Sequence, residues 1–371
     1  MHHSIIMSSL FMAACSSASP TSYPIYDAGK KDSATIYEAS TPIEASAMDA
    51  GIVVGGTIEA GSFDFLPPDT SPMLYNGGPV LANPIKVYLI YYGDWSAKQS
   101  TRSIIDYMIQ NIANTGLFKI STKYWENVAS ANASPETVDG GDAGEGGSYY
   151  SDAAFDAANY PDAGTVFVSS SVSLGADVYS YSPDYIQLMR DNDIQTIIKD
   201  DITSGVLPLD VNGVYLVLTS ADIRQVDTPF ESCNDYCGWH SSMEFQNTDI
   251  KYSWIGDTAQ CPDDCSVEPE YISLGIMQSP NNDWSADGMS NIMLHELAET
   301  ATDPDVFGHR AWMAEDQSEI GDSCAWAFGN PYWTDAGSLA NVKVGNKDYL
   351  LQQLWDLDNS FDAGGHCSLT P

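Results

Sequence analysis

Runs of aliphatic, aromatic and β-branched residues predict the strands of this chain. Residues 85–92 read Ile-Lys-Val-Tyr-Leu-Ile-Tyr-Tyr and residues 214–219 read Val-Tyr-Leu-Val-Leu-Thr, so both indicate buried strands. The same criterion predicts a third buried strand at residues 272–277, a shorter strand at 165–169 and a last strand near 349–355.

Segments with helical periodicity alternate with these strands. Residues 101–114 place isoleucine and methionine side chains on one side of an amphipathic helix, and residues 193–203 predict another helix. A third helix is predicted over residues 287–302, with Asp287 as its N-cap and Pro304 beyond its end. This alternation indicates one α/β or α+β layered domain with a mixed β-sheet, and no internal boundary follows residue 70.

The first 70 residues differ in character from the rest of the chain. Residues 1–15 form a short apolar run that ends in small residues and Cys15, a pattern typical of a bacterial lipoprotein signal. An ordinary secretory signal is the alternative, and the run has no preceding Lys or Arg. Residues 16–70 are rich in Ala, Ser, Asp and Gly and predict a disordered acidic tether, which leaves residues 71–371 as the globular domain.

Charge and hydropathy limit the partners of the chain. The net charge is −37, because Asp and Glu outnumber Lys and Arg by 51 to 14. Such a surface repels phosphate backbones, which disfavours nucleic acid as a partner. No later run reaches the ~20 apolar residues of a spanning helix, so we expect membrane attachment only through lipid on Cys15. We therefore expect an exported monomer, either anchored at the outer membrane or free in the periplasm or outside the cell.

The cysteines predict disulfides. Six cysteines remain beside Cys15, and an even number in an exported chain is typical of paired thiols. Structural zinc is the alternative, because the Cys233–Cys237 and Cys261–Cys265 spacings resemble zinc knuckles. An oxidising compartment disfavours free thiolates, which favours disulfides, and the sequence leaves their connectivity open.

The strongest indication of chemistry is a His-Glu-x-x-Glu segment on the helix predicted over residues 287–302. His295 and Glu299 are four residues apart and so lie on one face of that helix. Zinc hydrolases place two metal ligands at this spacing, and the residue after the first ligand acts as general base. The sequence therefore predicts a zincin-like active-site helix, with His295 and Glu299 as Zn²⁺ ligands and Glu296 as the catalytic base.

A third metal ligand has four candidates. Glu319 lies 20 residues beyond Glu299, which suits a downstream segment that returns to the site. Asp322, Asp303 and His240 compete for this place, and His240 or a tyrosine is the candidate for stabilising an oxyanion. The alternative is that these acids lie on the polar face of a helix without binding metal.

Several blocks in order resemble the EXORDIUM family, also called phosphate-induced protein 1. They include His-Glu-Leu-Ala-Glu at 295–299 and Glu-Ile-Gly-Asp-Ser-Cys at 319–324. The others lie at 74–80, 85–96, 207–210, 213–220, 233–240, 252–256, 261–265 and 287–289. The resemblance covers about residues 73–367 and implies an extracellular or cell-wall location and, in plants, a part in growth and cell expansion. It implies no established reaction, but the matching blocks include both segments that carry the predicted metal ligands.

Two functions follow as hypotheses. The first is a zinc-dependent, peptidase-like hydrolase of the cell envelope that acts on a peptide or a cell-wall polymer. The second is a non-catalytic module that binds cell-wall carbohydrate or signals, in which the His-Glu cluster is structural. Six tryptophans are candidates for lining a carbohydrate cleft or for filling the core: Trp95, Trp239, Trp254, Trp312, Trp326 and Trp333.

Overall fold

The computed structural model describes residues 72–127, 164–180, 182, 184–357 and 365–371. The larger strands are β2 (Ile85–Tyr92), β5 (Val172–Ser180), β7 (Gly213–Thr219), β10 (Gly238–Phe245) and β11 (Thr248–Gly256). The shorter strands are β1 (Leu74–Tyr75), β3 (Trp125–Asn127), β4 (Thr165–Phe167), β6 (Leu188–Met189), β8 (Arg224–Asp227), β9 (Phe230–Glu231), β12 (Trp312–Met313), β13 (Tyr332–Trp333), β14 (Leu339–Ala340), β15 (Val342–Val344), β16 (Lys347–Tyr349), β17 (Leu354–Asp356) and β18 (His366–Ser368). The α-helices are α1 (Gln99–Asn111), α2 (Gly116–Ser121), α3 (Asp191–Thr203), α4 (Pro262–Cys265), α5 (Glu268–Ser273) and α6 (Trp284–Thr302). Short 3₁₀ turns lie at Ile112–Asn114, Thr258–Gln260 and Asp322–Cys324.

The five larger strands form one mixed sheet in the order β10-β11-β7-β2-β5. Strands β11, β7, β2 and β5 are parallel, and β10 pairs antiparallel with β11 at one edge. Strand β7 is buried along its whole length, as expected for a parallel strand that is covered on both faces. The mixed α/β architecture predicted from the sequence is confirmed.

Alternate side chains of β2 point into two apolar clusters on opposite faces of the sheet. Val87, Leu89 and Tyr91 belong to the cluster that also contains the apolar residues of α1 and α6. Tyr88 and Ile90 belong to the cluster that contains the isoleucines of α3. Helices therefore cover both faces of the sheet, and α6 lies on the same face as α1.

Helix α6 is buried on all sides, including its polar residues. It packs against α1 and α2 and against β10 and β11 at the edge of the sheet. Asp283 caps its N-terminus, because the Asp283 carboxylate accepts a hydrogen bond of 3.0 Å from the backbone N–H of Ala286. The polar side chains of this helix must find their partners within the protein.

The hairpin of β10 and β11 is an element that the sequence did not predict. Phe245 pairs with Thr248, and the two turn residues Gln246 and Asn247 have φ angles of 52° and 59°. Two successive positive φ angles define a type I′ turn, the common two-residue hairpin connection. The hairpin places β10, which carries His240, beside α6.

The six cysteines outside the N-terminal segment form three disulfides, as the sequence predicted. The pairs are Cys233–Cys261, Cys237–Cys265 and Cys324–Cys367. The zinc-knuckle alternative for the first four cysteines is thereby overturned, because each thiol is bonded to another cysteine.

The prediction of a strand at residues 272–277 is wrong. Residues up to Ser273 belong to α5, which begins with a Glu-Pro pair, and Gly275 follows with a φ of 79°. Leu274 and Met277 are 61% and 73% exposed, so this apolar run is not a buried strand. In a run this short, periodicity alone does not distinguish a strand from a segment of a helix.

Several predicted elements differ from the structure by two or three residues at a boundary, and two differences are larger or affect the capping of α6. Helix α6 begins three residues earlier, and Asp287 lies in its first turn, where it accepts a hydrogen bond of 2.8 Å from the backbone N–H of Asn281. The last predicted strand is divided into β16 and β17. Between them, the N–H groups of Leu351 and Gln352 donate to the side chains of Asn341 and Asn291 rather than to a neighbouring strand.

Two regions with sequence predictions remain untested. The predicted signal at residues 1–15 and the predicted tether at residues 16–70 lie outside the described residues. Within the described ranges, none of the helices combines the length and the apolar character needed to cross a membrane.

Substitution of Asp283 by Ala tests the start of α6. The change removes the cap and also the acceptor for the Thr101 hydroxyl of α1, which donates to Asp283 at 2.6 Å. We expect the free energy of unfolding to fall by about 1–2 kcal/mol in chemical denaturation. Asp200→Ala on the exposed side of α3 is the matched control and should change stability by no more than about 0.5 kcal/mol. Equal stability of the two variants would contradict this assignment of the cap.

Candidate metal centre

Five buried histidine and glutamate side chains meet between β10 and α6. His295, Glu296 and Glu299 come from α6, and His240 comes from the third position of β10. Glu319 comes from the segment between β12 and the 3₁₀ turn at Asp322–Cys324. Their relative exposures are 0–3%, so solvent does not satisfy these polar groups. We call these five residues the His-Glu cluster.

His240 lies at the middle of the His-Glu cluster. Its Nδ1 atom is 3.4 Å from Glu296 Oε2 and 3.3 Å from Glu299 Oε2. Its Nε2 atom is 3.6 Å from Glu319 Oε2. Strand β10, helix α6 and the segment that carries Glu319 therefore bring one imidazole close to all three carboxylates.

The carboxylate of Glu299 has one anchored oxygen and one free oxygen. Glu299 Oε1 accepts hydrogen bonds from the backbone N–H groups of Gly321 and Asp322, at 3.2 and 3.1 Å. His295 Nε2 lies 3.0 Å from the same oxygen, and Asp322 Oδ1 lies 3.3 Å from that nitrogen. Within the described part of the chain Glu299 Oε2 has no hydrogen-bond partner, and it lies 3.3 Å from His240 Nδ1. The anchoring fixes the direction in which the free oxygen points.

Two glycines allow the neighbouring segments to approach α6 closely. A Cβ atom at Gly321 would lie 2.8 Å from the His295 ring and 2.9 Å from Glu299 Oε1. A Cβ atom at Gly238 would lie 2.6 Å from Ile292 and 3.1 Å from Glu296 Oε1. Side chains at these positions would push the two segments away from the helix.

The His-Glu cluster contains an unusual number of unsatisfied polar atoms. Nine of its side-chain nitrogen and oxygen atoms are buried without a hydrogen-bond partner among the residues that the structure describes: both imidazole nitrogens of His240 and His295, both oxygens of Glu296 and Glu319, and Glu299 Oε2. Buried polar groups in proteins are normally hydrogen-bonded, and exceptions indicate a functional site or an ion. Several of these atoms lie 3.0–3.6 Å from an oppositely charged group, so the cluster lacks hydrogen bonds but not electrostatic contacts.

The donors and their spacing fit a transition metal. The three residues His240, Glu299 and Glu319 offer ligand atoms within 4.8 Å of one another, and so do His295, Glu296 and Glu299. Two ligands of a tetrahedral zinc, each ~2.0–2.1 Å from the metal, are ~3.4 Å apart, close to the 3.3 Å between His240 Nδ1 and Glu299 Oε2. On the other side of the imidazole, Nε2 lies 3.6 Å from Glu319 Oε2. Mixed nitrogen and oxygen donors suit zinc, whereas calcium and magnesium prefer oxygen alone.

Burial and mutual contact shift the pKa values of the cluster. Burial acts to raise the pKa of Glu299, but the two neighbouring imidazoles lower it to about 2. Burial raises the pKa of Glu296 to about 7, against the opposing effect of the imidazoles. Burial alone would lower the pKa of both histidines, but the adjacent carboxylates raise it well above the ordinary value. The carboxylates of the His-Glu cluster thus stabilise a positive charge on the neighbouring imidazoles.

Each sequence candidate now has a position, and its role stays a prediction. His295, Glu296, Glu299, Glu319 and His240 lie together, and Asp322 touches the cluster through His295. Asp303 is outside both groups of potential metal ligands and pairs with Arg310.

Two residues that contribute to the site were not predicted. Arg310 contacts Glu319, and Gly321 packs against His295. The Glu-Ile-Gly-Asp block contains Gly321, whereas nothing in the local sequence singles out Arg310.

Comparisons with known proteins confirm the family resemblance. The model of the phosphate-induced protein 1 conserved region matches residues 73–362. Protein EXORDIUM-like 3 from Arabidopsis thaliana is 29% identical over 317 residues, which cover 78% of this chain and 82% of the relative. Protein EXORDIUM from the same plant is 26% identical over 299 residues, which cover 76% of this chain and 85% of the relative. No solved structure matches the chain.

The metal-free protein should respond to Glu296→Gln in a pH-dependent way. The folded-state pKa of Glu296 is about 7, above the ordinary value of 4.5, so the folded state loses stability as the pH rises through 7. In the presence of EDTA, Glu296→Gln should melt at a higher temperature than the wild type at about pH 8, and the difference should narrow near pH 5.

Glu244→Gln, at the exposed end of the same strand as His240, is the control for this comparison and should change little. Differential scanning calorimetry provides the measurement. A lower melting temperature for Glu296→Gln than for the wild type at about pH 8 would show that the buried carboxylate is satisfied in some other way.

Proposed function

The chain belongs to the phosphate-induced protein 1 family, and we propose that it is an exported, zinc-dependent hydrolase of the cell envelope. The observation that carries this proposal is the convergence of two histidines and three glutamates, buried and with nine unsatisfied polar atoms, on one side of α6. A buried group of this composition is best explained by a bound cation.

We place the zinc ion at His240, Glu299 and Glu319. Glu299 Oε2 lies 3.3 Å from Nδ1 of His240 and Glu319 Oε2 lies 3.6 Å from its Nε2, and neither oxygen has a hydrogen-bond partner among the described residues. The imidazole would bind the ion through one of its two nitrogens, and one ligand atom from each of the three residues lies within 4.8 Å of the other two. His295 then acts behind Glu299, because its Nε2 atom faces the anchored oxygen of that carboxylate. The ligand set drawn from helical spacing, with His295 in place of His240 and with Asp322 as a competitor, is the alternative.

Glu296 is suited to act as the general base. Its Oε2 atom lies 3.4 Å from His240 Nδ1, and no described residue forms a hydrogen bond with either of its oxygens. Because its pKa is raised to about 7, this carboxylate can accept a proton and return it near neutral pH. Zinc, when bound, supplies Lewis-acid activation of water and of a substrate carbonyl. The substrate class that fits this chemistry is a peptide or another acyl-linked cell-envelope polymer.

Export is supported by the predicted signal at residues 1–15 and by the three disulfides. Disulfides persist in oxidising compartments and are rare in the cytosol. Lipid on Cys15 would hold the domain at the membrane through the predicted tether.

A structural metal site is the second candidate function, and burial favours it. Structural zinc sites are closed by four protein ligands, whereas catalytic sites keep one position open for water. All five residues of the cluster are at most 3% exposed, which suits a closed site in a non-catalytic wall-binding module. The two functions differ in one observable, which is turnover by the zinc-loaded protein.

Zinc content tests the centre itself. The wild-type protein with intact disulfides should bind about one zinc per chain in elemental mass spectrometry, and His240→Ala and Glu319→Gln should lose most of it. His295→Ala should retain more zinc than His240→Ala, because His295 acts through Glu299. The reverse order of the two histidine variants would favour the ligand set drawn from helical spacing. A wild type that stays free of zinc after zinc is added would end the proposal.

Turnover by Glu296→Gln separates a hydrolase from a structural site. The variant keeps the shape of the side chain but cannot accept a proton, so it should retain zinc and lose at least about 100-fold in kcat. A library of peptides and peptidoglycan fragments is the substrate pool, and Glu244→Gln is the control. Zinc-loaded wild type without activity on any member of the library would favour the structural site.

A further inference from the structure

Arg310 connects the end of α6 to the His-Glu cluster. Its Nη2 atom lies 3.3 Å from Glu319 Oε1, and its Nε atom pairs with Asp303 Oδ2. The Arg310 side chain is 15% exposed, and both carboxylates are buried. This arginine is therefore a mostly buried cation that lies between two buried acids.

Asp303 holds Arg310 in position through contacts with its side chain and with the backbone of the next residue. Asp303 is the C-cap of α6, and its backbone N–H donates to the carbonyl of Glu299 at 2.7 Å. Its Oδ1 atom accepts a hydrogen bond of 2.6 Å from the backbone N–H of Ala311, the residue after Arg310. The carboxylate of Asp303 thus holds the backbone and the side chain of the arginine segment against the helix that carries Glu299.

The two oxygens of Glu319 face different partners. Oε1 faces the guanidinium of Arg310, and Oε2 faces Nε2 of His240 at 3.6 Å. A guanidinium beside one oxygen restricts rotation of the carboxylate and leaves the other oxygen directed at the cluster. Residues beyond the direct ligands orient metal-binding side chains in this way in many metalloproteins.

We infer that Arg310 is a positioning residue for the metal centre, which holds Glu319 so that its Oε2 atom can bind the zinc ion. This inference rests on the proposed function, because it assigns a role in the same centre. Asp303 contributes to the same positioning, because it holds Arg310 in place. A merely structural ion pair is the competing explanation, and it predicts lower stability without a change in zinc affinity.

Zinc affinity of Arg310→Gln measures the role directly. We expect binding to weaken by about 10- to 100-fold in competition with a chromophoric chelator, and Arg310→Lys should recover part of this loss because it keeps the charge. Zinc K-edge absorption of Arg310→Gln should show one oxygen neighbour fewer than the wild type. Arg224→Gln is the matched control, because Arg224 pairs with Glu231 at 2.6 Å on the exposed surface, and it should bind zinc as the wild type does.

Asp303→Asn provides a second route if Arg310→Gln does not fold. It keeps the size of the side chain and weakens the contacts of Asp303 with the Arg310 side chain and with the backbone N–H of Ala311, so we expect a smaller loss of zinc affinity in a folded protein. A folded Arg310→Gln variant that binds zinc with wild-type affinity would overturn the inference and leave the zinc centre in place. If Arg310→Gln does not fold, wild-type zinc affinity in both of the single variants Asp303→Asn and Arg310→Lys would overturn it in the same way. A wild type that binds no zinc would overturn the proposed function and this inference with it.

Discussion

The carboxylate of Glu299 is bound on one side and free on the other, and the arrangement of the His-Glu cluster depends on this difference. Backbone N–H groups of Gly321 and Asp322 hold its Oε1 atom, whereas its Oε2 atom faces His240. The anchoring requires the segment after Glu319 to lie directly on α6, which is possible because residue 321 is glycine. One hydrogen-bonded contact thereby joins the helix, the downstream segment and the edge strand at one place.

The fold stabilises this contact by covalent bonds on both sides. The Cys237–Cys265 disulfide lies three residues before His240, and the Cys324–Cys367 disulfide lies two residues after Asp322. Crowding several buried carboxylates costs stability in the absence of a cation, and such sites persist when the surrounding structure holds them rigidly. The three disulfides and the wholly buried helix α6 supply this rigidity.

The elements that the sequence predicted best are long and have regularly spaced buried residues. Strand β2 has the bounds that its apolar run predicts, and α6 differs from its prediction by three residues at the start. The segment at residues 272–277 was mistaken for a strand because exposed and buried apolar runs look alike in sequence. The β10–β11 hairpin was missed, because its turn residues Gln246 and Asn247 are not one of the glycine-containing pairs that usually mark a type I′ turn.

The candidate site was predictable only as far as local spacing reaches. His295, Glu296 and Glu299 share a helix, so their proximity follows from periodicity. The contact of His240 with this group depends on the register of β10 against β11 and on the packing of that edge strand on α6. The contact of Arg310 with Glu319 depends on the path of the chain after α6 ends, which no local pattern encodes.

Anomalous diffraction at the zinc absorption edge, from crystals of the zinc-treated protein, tests the central claim most directly. The account predicts one strong peak within bonding distance of Glu299 Oε2, with His240 and Glu319 as its other protein ligands. Ordered water molecules bridging the His-Glu cluster, with no anomalous peak among its five side chains, would contradict it.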